Sequence, residues 1–380
     1  MGKIIAILVL TTAWMFSGSA AAASTLEQEK ERLSAEAVQL MIAELGLRAS
    51  GTPSRELPGW GKVTKMVARY PAERIAELQI LAPGAEIVVV ESSEEAAAAL
   101  PGAQVLLGFC SEEVLAGADS LHWVQVYSSG VERCVDVPAM HTGERLLTNG
   151  QRLASPALAE SAIALMMALV RGIDLYYTNQ LQGEWRSNVG MERDEFMELD
   201  GRTMLVVGLG GIGTQVARKA HGLGMRVLAT RGSRREGPGY VEYVGLSDET
   251  VALATQADVV VNTVPLTDRT RGMFDAAFFE AMKPTAYYIS VGRGATTVTD
   301  DLLAALDAGQ LAGAGLDVTD PEPLPEGHPL WSAPRVIITP HVGGRSDRGR
   351  ERLYLLVREN LRRYVAGEPM LSVVDIERGY

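Results

Sequence analysis

Cysteine is scarce in this sequence, with two residues in a chain of 380. Cys110 and Cys134 form no CxxC motif and have no pair of histidines nearby, which argues against a zinc site and against a redox dithiol. A chain of this length can bury a core large enough to fold without a disulfide or a structural metal. We therefore expect two buried thiols and no bound metal.

Positive charge is also in deficit. Lys and Arg number 35 against 47 Asp and Glu, which gives a net charge of −12 and a pI near 5.1. Binding to nucleic acid needs a basic surface against the phosphate backbone, so this balance argues against a nucleic-acid partner. The length favours two domains, each with its own core.

The apolar run near the N-terminus is too short for a comfortable membrane span. Lys3 precedes apolar residues 4–16, and small residues follow as far as Ala23. This pattern is typical of a secretory signal over residues 1–23, cleaved after Ala23. We expect an exported or periplasmic protein without stable membrane association, unless the segment is uncleaved. If the segment is not a signal, the protein is expected to be cytoplasmic.

Residues 24–60 are expected to form a helical extension and a linker. Apolar residues recur at helical spacing over 26–48, and the stretch GTPSRELPGWGK that follows is typical of a linker. The helix is interpreted as an appendage that packs against a partner or covers a domain.

Short apolar runs alternate with helical stretches through the rest of the chain. The first series of runs covers 63–67, 86–90, 104–108 and 122–126, with helical stretches near 71–81, 93–100 and 111–117. The second series covers 203–208, 225–230, 258–264, 286–291, 313–318 and 335–339, with helices near 212–223, 248–256, 275–282 and 299–308. An apolar helix at 155–172 separates the series, and an amphipathic helix at 347–366 closes the chain. The alternation predicts an α/β fold with parallel sheets, doubly wound in the second series.

A glycine-rich motif follows the first strand of the second series. Gly208, Gly210 and Gly213 form GxGxxG between a strand and a helix, with Gly211 and Ile212 inside the motif. Such glycines let the backbone approach a pyrophosphate, and the helix N-terminus then faces the phosphate charge. The motif predicts a dinucleotide site.

An arginine stands where such motifs commonly place the acid that binds the adenosine ribose. Arg231 follows the second strand of the series, and Ser233, Arg234 and Arg235 come close behind it. An acid at this position pairs with a free 2′-hydroxyl, whereas an arginine accommodates a 2′-phosphate. Guanidinium groups and a hydroxyl suit a phosphate in charge and geometry. We predict NADP(H) as the preferred cofactor and NAD(H) as the alternative.

Three side chains that could bind a substrate or transfer a proton follow later strands of the same series. Arg293 lies in ISVGRGA, Glu322 in LDVTDPEPLP and His341 in IITPHVGG. Open α/β sheets bind their ligands at the carboxyl ends of the strands, so the three side chains are expected to meet.

These stretches resemble the D-isomer-specific 2-hydroxyacid dehydrogenase family, and within it most closely the glyoxylate/hydroxypyruvate reductase branch. The segments that carry the resemblance are VVGLGGIGTQVARKAHGLGMRV, VPLTDRTRGMF, ISVGRGATTVTDDLLAALDAGQLAGAGLDVTDPEPLPEGHPLW and RVIITPHVGG. The resemblance implies two Rossmann-like domains. A doubly wound NAD(P)-binding domain at 153–341 is inserted into a flavodoxin-like substrate domain built from 61–152 plus 342–380.

The resemblance also implies roles for individual residues. Arg293, Glu322 and His341 match the family's catalytic residues, and the loop with Ser129 and Gly130 matches the one whose backbone amides bind the substrate carboxylate. Further cofactor positions are matched by Pro265, Thr270, Val291, Asp317 and Gly343. For Asp317 the alternative is a carboxylate that only caps local structure. The family is generally dimeric, which implies a homodimer with the helix at 155–172 as an interface element.

The implied reaction is reduction of a small 2-oxo acid to the D-2-hydroxy acid with hydride from NADPH. His341 would donate the proton, since an imidazole titrates near neutral pH, and Glu322 would orient it. Arg293 would bind and polarise the oxo acid. Two alternatives stay open: a non-catalytic nucleotide-sensing binding protein on the same scaffold, and a dehydrogenase for a bulkier 2-oxo acid.

Overall fold

The structure is a computed structural model that describes residues 35–188 and 196–378. The predicted signal segment, residues 1–23, lies outside the described residues. No helix within the described ranges is long and apolar enough to cross a membrane.

Strands and helices alternate as the sequence predicts. The strands are β1 (Ala49–Pro53), β2 (Lys65–Ala68), β3 (Glu86–Val89), β4 (Val105–Leu107), β5 (Trp123–Gln125), β6 (Leu146–Thr148), β7 (Thr203–Val207), β8 (Arg226–Arg231), β9 (Tyr243–Leu246), β10 (Val259–Asn262), β11 (Tyr287–Ser290), β12 (Gly313–Leu316), β13 (Val336–Ile338) and β14 (Pro369–Leu371). The helices are α1 (35–45), α2 (Ala72–Leu81), α3 (Ser93–Ala99), α4 (Glu112–Leu115), α5 (Glu132–Val135), α6 (Ser155–Val170), α7 (Ile173–Leu181), α8 (Gly211–Gly222), α9 (Thr250–Ala254), α10 (Ala276–Ala281), α11 (Thr299–Asp307) and α12 (Gly349–Ala366).

The first alternating series forms a parallel sheet of five strands in the order β3-β2-β4-β5-β6. This order is that of flavodoxin-like folds. Buried Leu78 of α2 and Val357 of α12 pack on one face, and Ala96 of α3 and Val114 of α4 on the other. The C-terminal helix therefore covers the sheet formed by the N-terminal series.

The second series forms a seven-stranded sheet in the order β13-β12-β11-β10-β7-β8-β9. Every pairing in it is parallel. The order reverses between β7 and β10, which is the switch point where doubly wound sheets bind dinucleotides. The predicted α/β fold with a doubly wound sheet and a flavodoxin-like sheet is confirmed.

Both faces of the seven-stranded sheet are buried because side chains alternate along each strand. On β7, Met204 and Val206 enter one core with α6 and α8, whereas Leu205 and Val207 enter a second core with α9, α10 and α11. The predicted apolar helix is α6, which packs on α8, β11 and β12 of its own chain. Its apolar character is therefore explained by burial inside the chain.

The predicted linker is wrong in part, because residues 49–53 form β1, which pairs antiparallel with β14. Leu45 and Leu47 pack against Leu153, Leu356 and Leu371. The extension is thus an integrated, domain-covering element. The short strands β6 and β9 were also not predicted.

The expectation of two free thiols is wrong. Cys110 and Cys134 form a disulfide, with their Cα atoms 5.4 Å apart. The bond ties the segment after β4 to α5, and Cys134 is buried in the core of that side of the sheet. Sequence spacing did not reveal the pair because only the parallel packing of β4 and β5 brings the two segments together.

Candidate active site

The glycine-rich turn lies between β7 and α8 at the switch point of the sheet. Gly208 has a φ of 96°, and its carbonyl oxygen accepts a hydrogen bond of 2.7 Å from the Thr263 hydroxyl. A Cβ at Gly213 would collide with that carbonyl, so this position needs glycine for close packing of helix on strand. The first turn of α8, with Gly211 and Ile212, leaves backbone N–H groups without helical acceptors. The turn is shaped for a phosphate.

The end of β8 carries two cationic side chains, Arg231 and Arg234, that form no ion pair with any residue the structure describes. Arg231 is half-buried, and its buried Nε atom has no hydrogen-bond partner within residues 35–188 and 196–378. Burial lowers the pKa of Arg231, and the positive charges of Arg234 and Arg48 lower it further. Ser233 and Arg234 are exposed next to it. Such a group fits an anionic ligand, since like charges held together are unfavourable without one.

Arg235 does not belong to this group, in contrast to the prediction. Its guanidinium contacts the Glu249 carboxylate at 2.7 Å and donates to the Tyr243 hydroxyl at 2.8 Å. Arg235 therefore connects its loop to β9 and to the turn that follows β9.

His341 and Glu322 form a hydrogen-bonded pair. The imidazole Nδ1 atom lies 2.7 Å from Glu322 Oε1, and each side chain is 42% exposed, so the pair faces open space where a substrate can enter. His341 has a φ of 53°, which a non-glycine residue rarely adopts. With Nδ1 engaged, Nε2 is the ring atom left for a ligand.

Asp317 fixes the loop that carries His341. One carboxylate oxygen accepts hydrogen bonds from the Thr339 hydroxyl at 2.6 Å and from the Val342 and Gly343 amides at 3.0 Å. Asp317 is 1% exposed, and a Cβ at Gly343 would lie 2.7 Å from its other oxygen. These contacts favour the interpretation in which Asp317 and Gly343 build the local structure.

Arg293 is held by two acceptors after β11. Its Nε donates to Glu132 Oε1 at 3.0 Å, and its Nη1 donates to the Gly292 carbonyl at 3.0 Å. Burial alone would raise the pKa of Glu132, but a backbone hydrogen bond and the positive charges of Arg293 and His341 lower it below its usual value. Arg293 and His341 therefore lie near the same carboxylate and near each other. Glu132 was missed by sequence reasoning, although it lies only two residues after Gly130 of the predicted substrate loop.

The loop with Ser129 and Gly130 faces Arg293. A Cβ at Gly130 would lie 2.6 Å from Arg293 Nη2, so any other residue there would force the guanidinium out of its present position. Asn149 donates to the Ser129 carbonyl at 2.7 Å, and the Ser129 hydroxyl donates to Gly150 at 3.0 Å. Within the described residues the backbone N–H groups of Ser129 and Gly130 have no acceptor. The loop thus presents free N–H donors, which suit a carboxylate.

The remaining predicted cofactor residues lie after β10 and β11. Thr270 donates to the Pro265 carbonyl at 2.6 Å and accepts from the Thr267 amide at 2.8 Å, so these residues form a closed turn. Val291 is buried, and its amide donates to the Asn262 carbonyl at 3.1 Å. The turn stands beside the glycine-rich motif at the switch point. Among the described residues no group of three or more His, Cys, Asp or Glu side chains could hold a metal ion.

The arrangement agrees with comparisons with known proteins. Residues 163–343 match the model of the NAD-binding domain of D-isomer-specific 2-hydroxyacid dehydrogenases. Glyoxylate/hydroxypyruvate reductase A of Photorhabdus laumondii is 32% identical over 278 residues, which cover 70% of this chain and 84% of the relative. The chain belongs to the D-isomer-specific 2-hydroxyacid dehydrogenase family. The resemblance inferred from the sequence is thereby confirmed, and the protein is an NAD(P)-dependent oxidoreductase of this family.

Two further members place the chain within the family. Glyoxylate reductase of Pyrococcus furiosus is 34% identical over 272 residues, which cover 70% of this chain and 79% of the relative. The NADPH-dependent glyoxylate/hydroxypyruvate reductase of Sinorhizobium meliloti, solved with NADP and sulfate, superposes with a TM-score of 0.70. That structure is 26% identical and covers 83% of this chain and 100% of its own. The reductase branch is therefore the part of the dehydrogenase family that this chain resembles.

Proposed function

We propose that the protein reduces a small 2-oxo acid of the glyoxylate or hydroxypyruvate type to the D-2-hydroxy acid, with NADPH as the hydride donor. The observation that carries the proposal is the convergence of Arg293 with the His341–Glu322 pair beside free N–H groups of the loop at Ser129. An anion-binding cation, a proton donor and a carboxylate-binding loop are the parts that this reaction needs.

The residues at the switch point fit a dinucleotide phosphate. The turn from Gly208 to Gly213 would hold the pyrophosphate, and Arg231, Ser233 and Arg234 would hold a 2′-phosphate. The orphaned Nε of Arg231 supports this fit, because a buried donor without an acceptor is costly. When bound, a nicotinamide cofactor supplies hydride to the carbonyl carbon.

His341 would deliver the proton from Nε2 to the oxygen of the substrate carbonyl. Its Nδ1 lies 2.7 Å from Glu322 Oε1, and this contact fixes the plane of the ring and leaves Nε2 for the substrate. Asp317 fixes the backbone of the same loop, which holds the imidazole in place during proton transfer.

Arg293 would bind the 2-oxo acid through the guanidinium edge that the protein leaves open. Glu132 and Gly292 occupy Nε and Nη1, so Nη2 points toward Gly130 and the free amides. A carboxylate between Nη2 and those amides would place its neighbouring carbonyl near His341. The similarity to glyoxylate/hydroxypyruvate reductase A and to glyoxylate reductase supports a small substrate over a bulky one.

The direct test is a panel of 2-oxo acids with the full chain. Hydroxypyruvate and glyoxylate are expected to give larger kcat/KM values than phenylpyruvate when NADPH oxidation is followed. A larger value for phenylpyruvate would overturn the choice of substrate and support the alternative dehydrogenase. Tight NADPH binding without turnover of any acid would support the nucleotide-sensing alternative instead.

We also propose that two copies associate through the face that carries α7. Ile173, Tyr177 and Leu181 of that helix are 55%, 56% and 71% exposed, and Trp185 and Trp331 are 98% and 54% exposed. Exposed apolar side chains in such number are typical of a protein interface. Sedimentation should give twice the monomer mass for the wild type and a monomer for Tyr177→Asp. A monomeric wild type would contradict the proposal.

We propose further that the folded chain resides in an oxidising compartment, in line with the export signal expected in the sequence. The disulfide between Cys110 and Cys134 supports this location, since such bonds persist outside the reducing cytosol. Thiol trapping of the native protein after cell fractionation should find both cysteines unreactive in the exported fraction. Labelled thiols on a cytosolic chain would contradict it.

A further inference from the structure

Four arginines from distant parts of the chain lie together beside the glycine-rich turn. Arg48 follows α1 in the N-terminal extension, Arg152 lies in the connection before α6, and Arg231 and Arg234 belong to the end of β8 and its loop. Burial lowers the pKa of Arg152, and the charges of Arg48, Arg231 and Arg234 lower it further. The charge of Arg48 acts on Arg231 as well. We call these four residues the arginine group.

No acid that the structure describes is in ion-pair contact with the arginine group. None of its members forms an ion pair there, and Glu236 is the one acid whose charge acts on Arg231. The Arg152 guanidinium donates to the Leu45 carbonyl at 3.3 Å, and the Nε of Arg231 has no partner. Four cations gathered without a counter-charge repel one another, and an anion bound among them removes that repulsion.

Arg152 links the glycine-rich turn to the rest of the group. A Cβ at Gly211 would lie 2.8 Å from Arg152 Cγ, so the side chain covers the first turn of α8. Its Nη1 lies 3.3 Å from the Cβ position of Gly46, next to Arg48. Arg152 has a φ of 69°, a conformation that costs a non-glycine residue free energy and is common at ligand sites.

The backbone of Arg48 is fixed from both sides. Its carbonyl accepts a hydrogen bond of 3.2 Å from the Ser372 amide, and β1 begins at the next residue and pairs with β14. The preceding Leu47 is buried against Leu153 and Leu371. The extension therefore presents the exposed Arg48 side chain from a rigid support, which reduces the entropy lost on binding.

We propose that the N-terminal extension and the connection before α6 complete the cofactor site, with Arg48 and Arg152 joining Arg231 and Arg234 in binding the adenosine 2′-phosphate of NADP(H). The inference rests on the proposed function, since it deepens the cofactor assignment made there. The extension would then have a chemical role, because its Arg48 would bind a phosphate of the cofactor from outside the doubly wound sheet.

The test compares two nucleotide fragments that differ in the 2′-phosphate. Calorimetric titration of the full chain with 2′,5′-ADP and with 5′-AMP measures that phosphate alone. The wild type is expected to bind 2′,5′-ADP at least about tenfold more tightly than 5′-AMP. Arg48→Gln and Arg152→Gln should each weaken 2′,5′-ADP about tenfold and change 5′-AMP less than about twofold.

Arg55→Gln is the matched control. Arg55 is an exposed arginine of the same extension, but it lies beside Gly367 and Glu368, away from the arginine group. This variant should bind both fragments like the wild type. Thermal melting checks the fold of each variant, and Arg48→Gln is the decisive one because the side chain is exposed.

The outcomes separate the two proposals. Equal wild-type affinity for the two fragments would overturn the NADP(H) assignment itself. Preference for 2′,5′-ADP that survives in Arg48→Gln would overturn the role of the extension and leave the cofactor assignment intact. If Arg48→Gln lowered the affinity for both fragments equally, the arginine would bind the 5′-phosphate that both carry. That result would likewise overturn the proposal.

Discussion

Arg231 and Arg293 are both half-buried and both lie at the carboxyl ends of strands in the seven-stranded sheet, yet their surroundings differ. Arg293 is bound on two atoms, by Glu132 and by the Gly292 carbonyl. Among the described residues the buried Nε of Arg231 has no hydrogen-bond partner. The charges of Arg234 and Arg48 act on Arg231, and its own charge acts on Arg152.

The difference fits the ligand that each arginine would meet. A small oxo acid has few atoms for recognition, so the arginine that binds it must already point in one direction. A phosphate with about two charges can neutralise several cations at once, and a group without internal acids leaves all of them to the ligand. The paired arginine provides orientation, and the unpaired group provides charge.

The largest expected effect concerns the substrate site, where Arg293 and His341 lie. His341→Ala should lower kcat for hydroxypyruvate by about 10²–10⁴, because the general acid is lost, and leave NADPH affinity unchanged. Steady-state kinetics and cofactor titration give the two numbers. His221→Ala, an exposed histidine on α8 that contacts Tyr240, is the matched control and should behave like the wild type. Near-full kcat in His341→Ala would contradict the assignment.

Removing one cation from the arginine group should change the preference between NADPH and NADH. Arg231→Gln is expected to lower the ratio of kcat/KM for NADPH over NADH by about 10–100-fold, since hydrogen bonds to a charged group are lost. Arg235→Gln, in which the arginine paired with Glu249 is changed, should leave that ratio within about twofold. If the two variants shifted the ratio equally, the distinction between free and paired arginines would fail.

Glu132→Gln breaks the pairing of Arg293 itself. The guanidinium should lose its fixed direction, which we expect to raise KM for the oxo acid about tenfold, with a smaller effect on kcat. The pKa of Glu132 is lowered, so the ion pair is present above the usual carboxyl range and is lost as pH falls through that lowered value. KM of the wild type should therefore rise in acid, and KM of the variant should not. An identical pH profile in both would refute the positioning role.

We expect the disulfide to stabilise the substrate site at Arg293 and to leave the cofactor site at Arg231 unaffected. Cys134 lies on α5 two residues after Glu132, and the bond closes a sequence separation of 24 residues. The double variant Cys110→Ala/Cys134→Ala should lose about 3 kcal/mol of unfolding free energy in urea. KM for the oxo acid should rise a few-fold while the affinity for NADPH stays constant. A fall in NADPH affinity without a change in KM would reverse the comparison.

Apolar runs and glycine spacing were enough to predict most of the fold. The runs at β7, β8, β10 and β11 are long and bounded by turns, and the positions of Gly208, Arg293 and His341 follow directly from strand ends. The apolar runs around β6 and β9 are shorter than these and give weak periodicity. The grouping of Arg48 with Arg231 depends on how the extension packs against Leu371, which no local pattern encodes. The disulfide was missed for the same reason.

The role of the arginine group is measured most simply by the wild-type ratio of kcat/KM for NADPH over NADH at saturating hydroxypyruvate. We expect turnover with both cofactors and a ratio of at least about tenfold in favour of NADPH, because the arginine group would bind the 2′-phosphate that NADH lacks. A ratio of one or below, measured on active enzyme, would show that the arginine group does not select NADPH.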